Sequence, residues 1–287
     1  HLADSVTDGS ETALFTGGNL LYGSVGRTDL VGPDRTEELT RLQYRSARKI
    51  AERLPDDTEI YPTHGFGSFC SSGPATGEDV STTAGQRRDN NALTTDDEDT
   101  FVKDLVAGLT PFPRYYAHMG PQNAAGPDEI DLSPPAPLDA ATLRERIEAG
   151  DWVVDLRERK AYAAGHIRGT LSFELGQNFT TYLGWVLPYG DPLVLVGDSP
   201  EQVAQAQRDL ARIGIERQSV HGAATGPVDE LAQGRTSSYP RVEWGELRDA
   251  MAQDWSDLVL DVRREDEYAE GHIGGAVNIP IHDLLQR

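Results

Sequence analysis

The chain has 287 residues, enough for about two domains with cores of their own. Its 47 acidic against 26 basic residues give a formal net charge of −21, a surface that repels nucleic-acid backbones and anionic membranes and argues against both as partners. No apolar run approaches the ~20 residues of a membrane span, and a single cysteine, Cys70, excludes an intrachain disulfide and fits a reducing cytoplasm.

No signal peptide opens the chain, and the stretch after His1 reads as the middle of a domain, so the expectation is a piece of a longer protein. Residues 13–16 form a short apolar run that stops at Gly17-Gly18, as a buried strand entering a loop would. Asp34, with Glu37 three residues on, predicts a capped helix start, and Leu39, Leu42, Ala47, Ile50, Ala51 and Leu54 predict its buried stripe. Residues 58–65 read as a strand running into a loop that carries His64. Residues 65–94, rich in Gly, Ser, Thr and Asn, read as extended loop. Thr95 and Glu98 repeat the capping-box spacing and start a helix to about Gly108. Residues 109–116 form an aromatic, proline-punctuated extension, and 126–137 have linker composition.

Beyond the linker, residues 138–149 predict a helix, 152–155 and 192–196 two apolar strands, and 200–213 a further helix; strands alternating with helices imply a parallel α/β sheet. The segment DLRERKAYAAGHIRG (155–169) then recurs as DVRREDEYAEGHIGG (261–275), with Asp155 matching Asp261, Arg157 matching Arg263, Tyr162 matching Tyr268 and His166 matching His272, all at an offset of 106 residues. A repeat of that length is a duplicated small domain. His166 and His272 are each expected to pack and hydrogen-bond so as to fix their own loop.

The pattern of a strand ending in Asp-x-Arg, followed by Tyr-x-x-Gly-His-Ile-x-Gly, resembles the rhodanese family in both copies. The resemblance implies a fold that carries sulfane sulfur on a cysteine in the loop after a central strand, at a helix N-terminus, where backbone N–H groups hold an anion and lower a thiol pKa. In the first copy that position falls at Gly197, give or take one residue, and Ser199, Pro200 and Gln202 instead predict a capping box. Asp198 adds negative charge there. The first copy is therefore expected to be catalytically dead, and the equivalent position of the second lies beyond Arg287.

The front segment, with GGNLLYGSVGRTDL (17–30) followed by YPTHG (61–65), resembles the metallo-β-lactamase superfamily, and most closely the persulfide dioxygenases, some of which are fused to rhodanese domains. The fold expected is α/β: the C-terminal part of a metallo-β-lactamase αββα sandwich (residues 1–126), a linker (127–137), a cysteine-less rhodanese-like domain (138–236) and the N-terminal half of a second one (239–287). The resemblance implies oxidation of glutathione persulfide or another low-molecular-weight persulfide to sulfite at iron, with rhodanese domains passing sulfur. An alternative is a zinc thioester hydrolase of the glyoxalase II kind, and a third is a non-catalytic sulfur-carrier or interaction scaffold. The partner implied is a small-molecule persulfide or glutathione, with homo-oligomerisation left open.

His64 matches the family's last active-site histidine, which binds the second metal in dinuclear relatives and lies beside the iron in mononuclear ones. Arg27 could neutralise a persulfide or glutathione carboxylate, or form an ion pair with Asp29. Cys70, six residues after His64, is either a buried small apolar residue or a sulfur-handling catalytic group. Two departures stand out. Gly18 occupies the position of the metal-binding aspartate, leaving the Asn19 amide as a weak neighbouring donor. The superfamily's His-x-His-x-Asp-His motif is absent from the seven histidines of the chain, so the chain by itself is expected to be inactive.

Overall fold

The computed structural model describes residues 13–63, 81–126, 129–253 and 258–287. His64 and Cys70 lie outside the described residues. The chain divides into two compact units, His1–Phe112 and Pro113–Arg287.

In the first unit, strand β1 (Ala13–Gly17) leads to helix α1 (Thr36–Arg53), followed by β2 (Glu59–Pro62), β3 (Ser81–Thr82), α2 (Thr83–Asp89), α3 (Asn91–Thr94) and α4 (Glu98–Ala107). The sheet order is β1-β2-β3, with β1 parallel to β2 and β3 antiparallel to it. Alternation sets the faces: Leu14, Thr16 and Ile60 point into a core with Tyr44, Ala47, Phe101, Val102 and Leu105, whereas Phe15 and Tyr61 stack on each other on the open face.

Several sequence expectations are corrected here. Arg35, not Asp34, stands at the start of α1 and makes no side-chain cap. The buried stripe of α1 is Thr36, Thr40, Tyr44, Ala47 and Ala51. Leu42 is exposed, and Ile50 and Leu54 only border the core. Threonines serve in that stripe because each bonds locally: Thr36 Oγ1 donates to Gly32 O (3.0 Å) and Thr40 Oγ1 to Thr36 O (2.7 Å). The expected loop 65–94 contains β3, α2 and α3; Thr82 and Asn90 cap the two helices by accepting from Gly85 N and Ala92 N. Asp97, not Thr95, caps α4 by accepting from Thr100 N (2.8 Å).

The second unit runs through α5 (Tyr116–Ala125), α6 (Ala140–Ala149), β4 (Trp152–Asp155), α7 (Arg159–Ala164), β5 (His166–Ile167), β6 (Leu171–Ser172), α8 (Phe179–Val186), β7 (Leu193–Gly197), α9 (Pro200–Ala211), β8 (Val220–Thr225), α10 (Val228–Ala232) and β9 (Thr236–Ser237). The repeat follows with α11 (Trp244–Met251), β10 (Leu260–Asp261), α12 (Glu265–Glu270) and β11 (Val277–Asn278). A four-stranded sheet has the order β6-β4-β7-β8, every pair parallel. The central strand β7 is buried along its whole length. Leu193 and Leu195 face one layer with Phe179, Leu183, Val203, Ala206 and Leu210, while Val194 and Val196 face the other with Leu143, Ile167 and Ala232. Both faces are thus covered, which is why the strand reads as an uninterrupted apolar run.

Helix α5 starts at Tyr116, the last residue of the expected extension, and fills the stretch before the expected linker. It docks through its side chains, with the His118 ring stacked on Tyr189 at 3.8 Å and Gln122 Nε2 donating to Tyr189 Oη (2.5 Å). The end of the expected linker also joins the sheet: Leu138 N donates to Ala223 O and Ala223 N to Ala136 O, adding Pro137 beside β8. Helix α9 ends at Ala211, two residues short of expectation. The repeat is structural as well as sequential, since β4 pairs β6 as Asp155↔Ser172 and β10 pairs β11 as Asp261↔Asn278.

Candidate functional site

Parallel strands present their loops together at their carboxyl ends, where α/β proteins place ligands. In the first unit that end is formed by residues 17–19 after β1 and Thr63 after β2. Thr63 N donates to Gly17 O (3.1 Å), so Thr63 lies directly beside the Gly18 loop. Gly17 turns the chain at φ +58°, a conformation that favours glycine. Helix α1 then fastens the loop: Gln43 Nε2 donates to Gly18 O (3.0 Å) and Asn19 O (2.9 Å), and Asn19 Nδ2 donates to Ser46 Oγ (2.7 Å). Asn19 Oδ1 is left buried without a hydrogen-bond partner.

The Arg27 side chain is buried, its guanidinium forking onto Asp29 (Nε–Oδ1 2.8 Å, Nη2–Oδ2 2.7 Å) while Nη2 also donates to Thr110 O (2.7 Å). The guanidinium carbon lies 4.9 Å above the Phe112 ring. This bidentate, stacked geometry fixes the loop against the end of the unit.

The fit of a metal to these residues is poor. Gly18 has no side chain, and a Cβ built there meets nothing within 4 Å. Among the described residues at this end, the buried side-chain oxygen without a hydrogen-bond partner is the neutral Asn19 amide oxygen. Among the described residues no group of three or more His, Cys, Asp or Glu side chains could hold a metal ion. Iron or zinc therefore finds no ligand set in the described residues, and no chemical step is assigned to it.

In the second unit, the Asp-x-Arg motif is a buried clamp. Arg157 Nε and Nη2 grip the Asp155 carboxylate (3.0 and 2.7 Å), and Nη2 also donates to Gly165 O (3.0 Å). His166 stacks on Tyr162 at 4.0 Å and its Nδ1 donates to Tyr162 O (2.9 Å), while Tyr162 Oη donates to Thr170 O. Burial pushes the Tyr162 phenol above its ordinary pKa. The second copy repeats each bond: Arg263 grips Asp261 and Gly271 O, and His272 stacks on Tyr268. There the Arg263 hydrogen bond holds the Asp261 carboxyl below the usual range. These conserved-in-duplicate residues build a turn.

The loop between β7 and α9 corrects the expected capping box. Ser199 Oγ accepts from Gln202 N (3.4 Å), as predicted, but the Gln202 side chain does not return to Ser199. Its Oε1 accepts from Asp198 N (2.8 Å) and its Nε2 donates to Leu156 O (3.2 Å). The link to Leu156 crosses 46 residues, so no local spacing could have shown it.

Comparison with known proteins defines the class of these two units. Residues 139–223 and 243–287 match the family model of the rhodanese-like domain. The chain is similar to a metallo-β-lactamase from Staphylococcus aureus subsp. aureus COL, at 26% identity and a TM-score of 0.60, covering 75% of this chain and 58% of that one. The chain is thus a mixed α/β protein similar to a metallo-β-lactamase and matching the rhodanese-like domain over part of its length, and it spans a little over half the length of that metallo-β-lactamase. The rhodanese-like domain of the Alr3790 protein from Anabaena sp. is also similar, at 22% identity and a TM-score of 0.30, covering 39% of this chain and 92% of that one. No curated protein matches the sequence.

Proposed function

We propose that the chain belongs to a sulfur-handling enzyme in which a metallo-β-lactamase-like domain oxidises a low-molecular-weight persulfide, with rhodanese-like domains as sulfur carriers or docking modules. For glutathione persulfide the balanced reaction consumes one O₂ and one water and gives glutathione, sulfite and two protons. The observation that carries this reading is the conjunction of the two folds. The chain is similar over 75% of its length to the staphylococcal metallo-β-lactamase, and residues 139–223 and 243–287 match the rhodanese-like domain.

His64 is the proposed metal-side histidine, since Thr63 brings the chain to the Gly18 loop. Iron is the proposed metal, Arg27 the proposed neighbour of an anionic substrate through the loop it braces, and Cys70 the proposed sulfur-handling thiol. A reducing cytoplasmic location fits this chemistry. The test uses the protein as its gene encodes it, purified and analysed for metal, with oxygen uptake and sulfite release followed on addition of glutathione persulfide. Iron together with sulfite formed in step with O₂ supports the proposal. Zinc with thioester cleavage and no O₂ uptake replaces it with the hydrolase reading, and neither metal nor turnover replaces it with a scaffold.

A further inference from the structure

We infer that Gln202 is a built-in lock on the β7–α9 loop of the first rhodanese-like copy, its carboxamide filling the space that a side chain at position 197 would need. Gly197 is buried at the end of β7, and a Cβ built on it would come within 2.7 Å of Gln202 Oε1 and 3.5 Å of its Cδ. Both ends of the carboxamide are engaged: Oε1 by Asp198 N–H at 2.8 Å and Nε2 by Leu156 C=O at 3.2 Å.

The side-chain chemistry is specific. A glutamate of the same length can accept from Asp198 N–H but cannot donate to Leu156 O, and would set a negative charge against that carbonyl. Leucine or methionine would satisfy neither group and leave two backbone partners to find water. The lock also ties the loop to the end of β4, because Leu156 N itself donates to Val196 O (2.8 Å). Leu156, Val196, Asp198 and Gln202 therefore close a ring of bonds in which Gly197 is the link between Val196 and Asp198. The loss of the sulfur-carrying residue is accordingly more than one substitution: restoring a thiol at 197 requires displacing Gln202 as well. The inference stands on the rhodanese-like match and this geometry, independently of the persulfide reaction proposed above.

The test places the only thiol of the chain at 197. In a Cys70→Ser background, Gly197→Cys is compared with Gly197→Cys/Gln202→Ala by reaction with an aromatic disulfide; the thiolate attacks, one half stays as a mixed disulfide and the other leaves as a coloured thiolate. The double variant is expected to react at least about tenfold faster, because truncating the carboxamide uncovers the sulfur. Equal rates in two folded variants overturn the lock. Should Gly197→Cys fail to fold, hydrogen exchange decides on Gln202→Ala in the otherwise natural chain. The Asp198 amide is expected to exchange at least about tenfold faster than in the parent, and unchanged protection there overturns the inference.

Discussion

Arg157 and Arg263 make the same bonds in different surroundings. The first pair is buried, with side chains 9% and 0% exposed for Arg157 and Asp155. The second is open, at 45% for Arg263 and 13% for Asp261. Removing one partner of a buried pair strands the other charge, so Arg157→Ala is expected to cost about 3–5 kcal/mol. Arg263→Ala strands a carboxylate that water reaches and is expected to cost a small fraction of that. Urea unfolding of the two variants separates the cases, and equal losses would show that burial is not the governing variable. Helix caps supply a second prediction at this scale. The backbone N–H of Thr142, with its hydroxyl, holds Asp139 below the ordinary carboxylate range, and the hydroxyl and N–H of Thr100 do the same for Asp97. A depressed folded-state pKa gives stability that is present above the unfolded value of about 3.9 and is lost as pH falls through the folded one. Asp139→Asn keeps the acceptor and removes the titration, so its stability is expected to fall less than the parent's between neutral pH and pH 2, as followed by urea midpoints.

At the level of elements, what could be read from sequence tracks how local the cause is. Strand β7 was legible because five consecutive residues are buried on both faces, and that leaves a continuous apolar signal. Leu195→Ala at its centre removes packing against the layer that holds Phe179 and Val203 and is expected to cost about 2–5 kcal/mol, measured by chemical denaturation. A loss below about 1 kcal/mol would mean the core collapses freely around the site. Helices α2 and α3 were hidden by their Gly, Asn and Thr content, and they exist because Thr82 and Asn90 cap them and Gln86 bonds to Ser81 Oγ (2.9 Å). Helix α5, with Pro121 inside it and no buried residue of its own, has no periodic stripe to find. The candidate site shows the same division. Gly18 and Arg27 were visible as motif positions, whereas the grips of Gln43, Ser46 and Gln202 join residues 24 to 46 apart and leave no mark in spacing.

For the whole molecule, the decisive quantity is the net charge of −21. Two electrostatic effects oppose each other as salt is added. Exposed pairs such as Arg35–Glu38 and Arg45–Glu98 weaken, but solvent-exposed pairs of this kind contribute little to stability. The general repulsion among 47 acidic side chains, incompletely offset by 26 basic ones, is relieved at the same time. The Debye length falls from about 10 Å at 0.1 M to about 3 Å at 1 M, shorter than the spacing of most surface charges but comparable to the contact distance within an ion pair. Repulsion, being long-ranged, is therefore screened more completely than pairing. The melting temperature is expected to rise between 0.1 M and 1 M KCl, with the gain shrinking when several exposed acidic residues outside the ion pairs among the described residues, such as Glu52, Asp57 and Asp104, are neutralised to Asn or Gln. A melting temperature that falls with salt would instead place the arginine–carboxylate pairs, and not the excess of acid, in control of the stability of this chain.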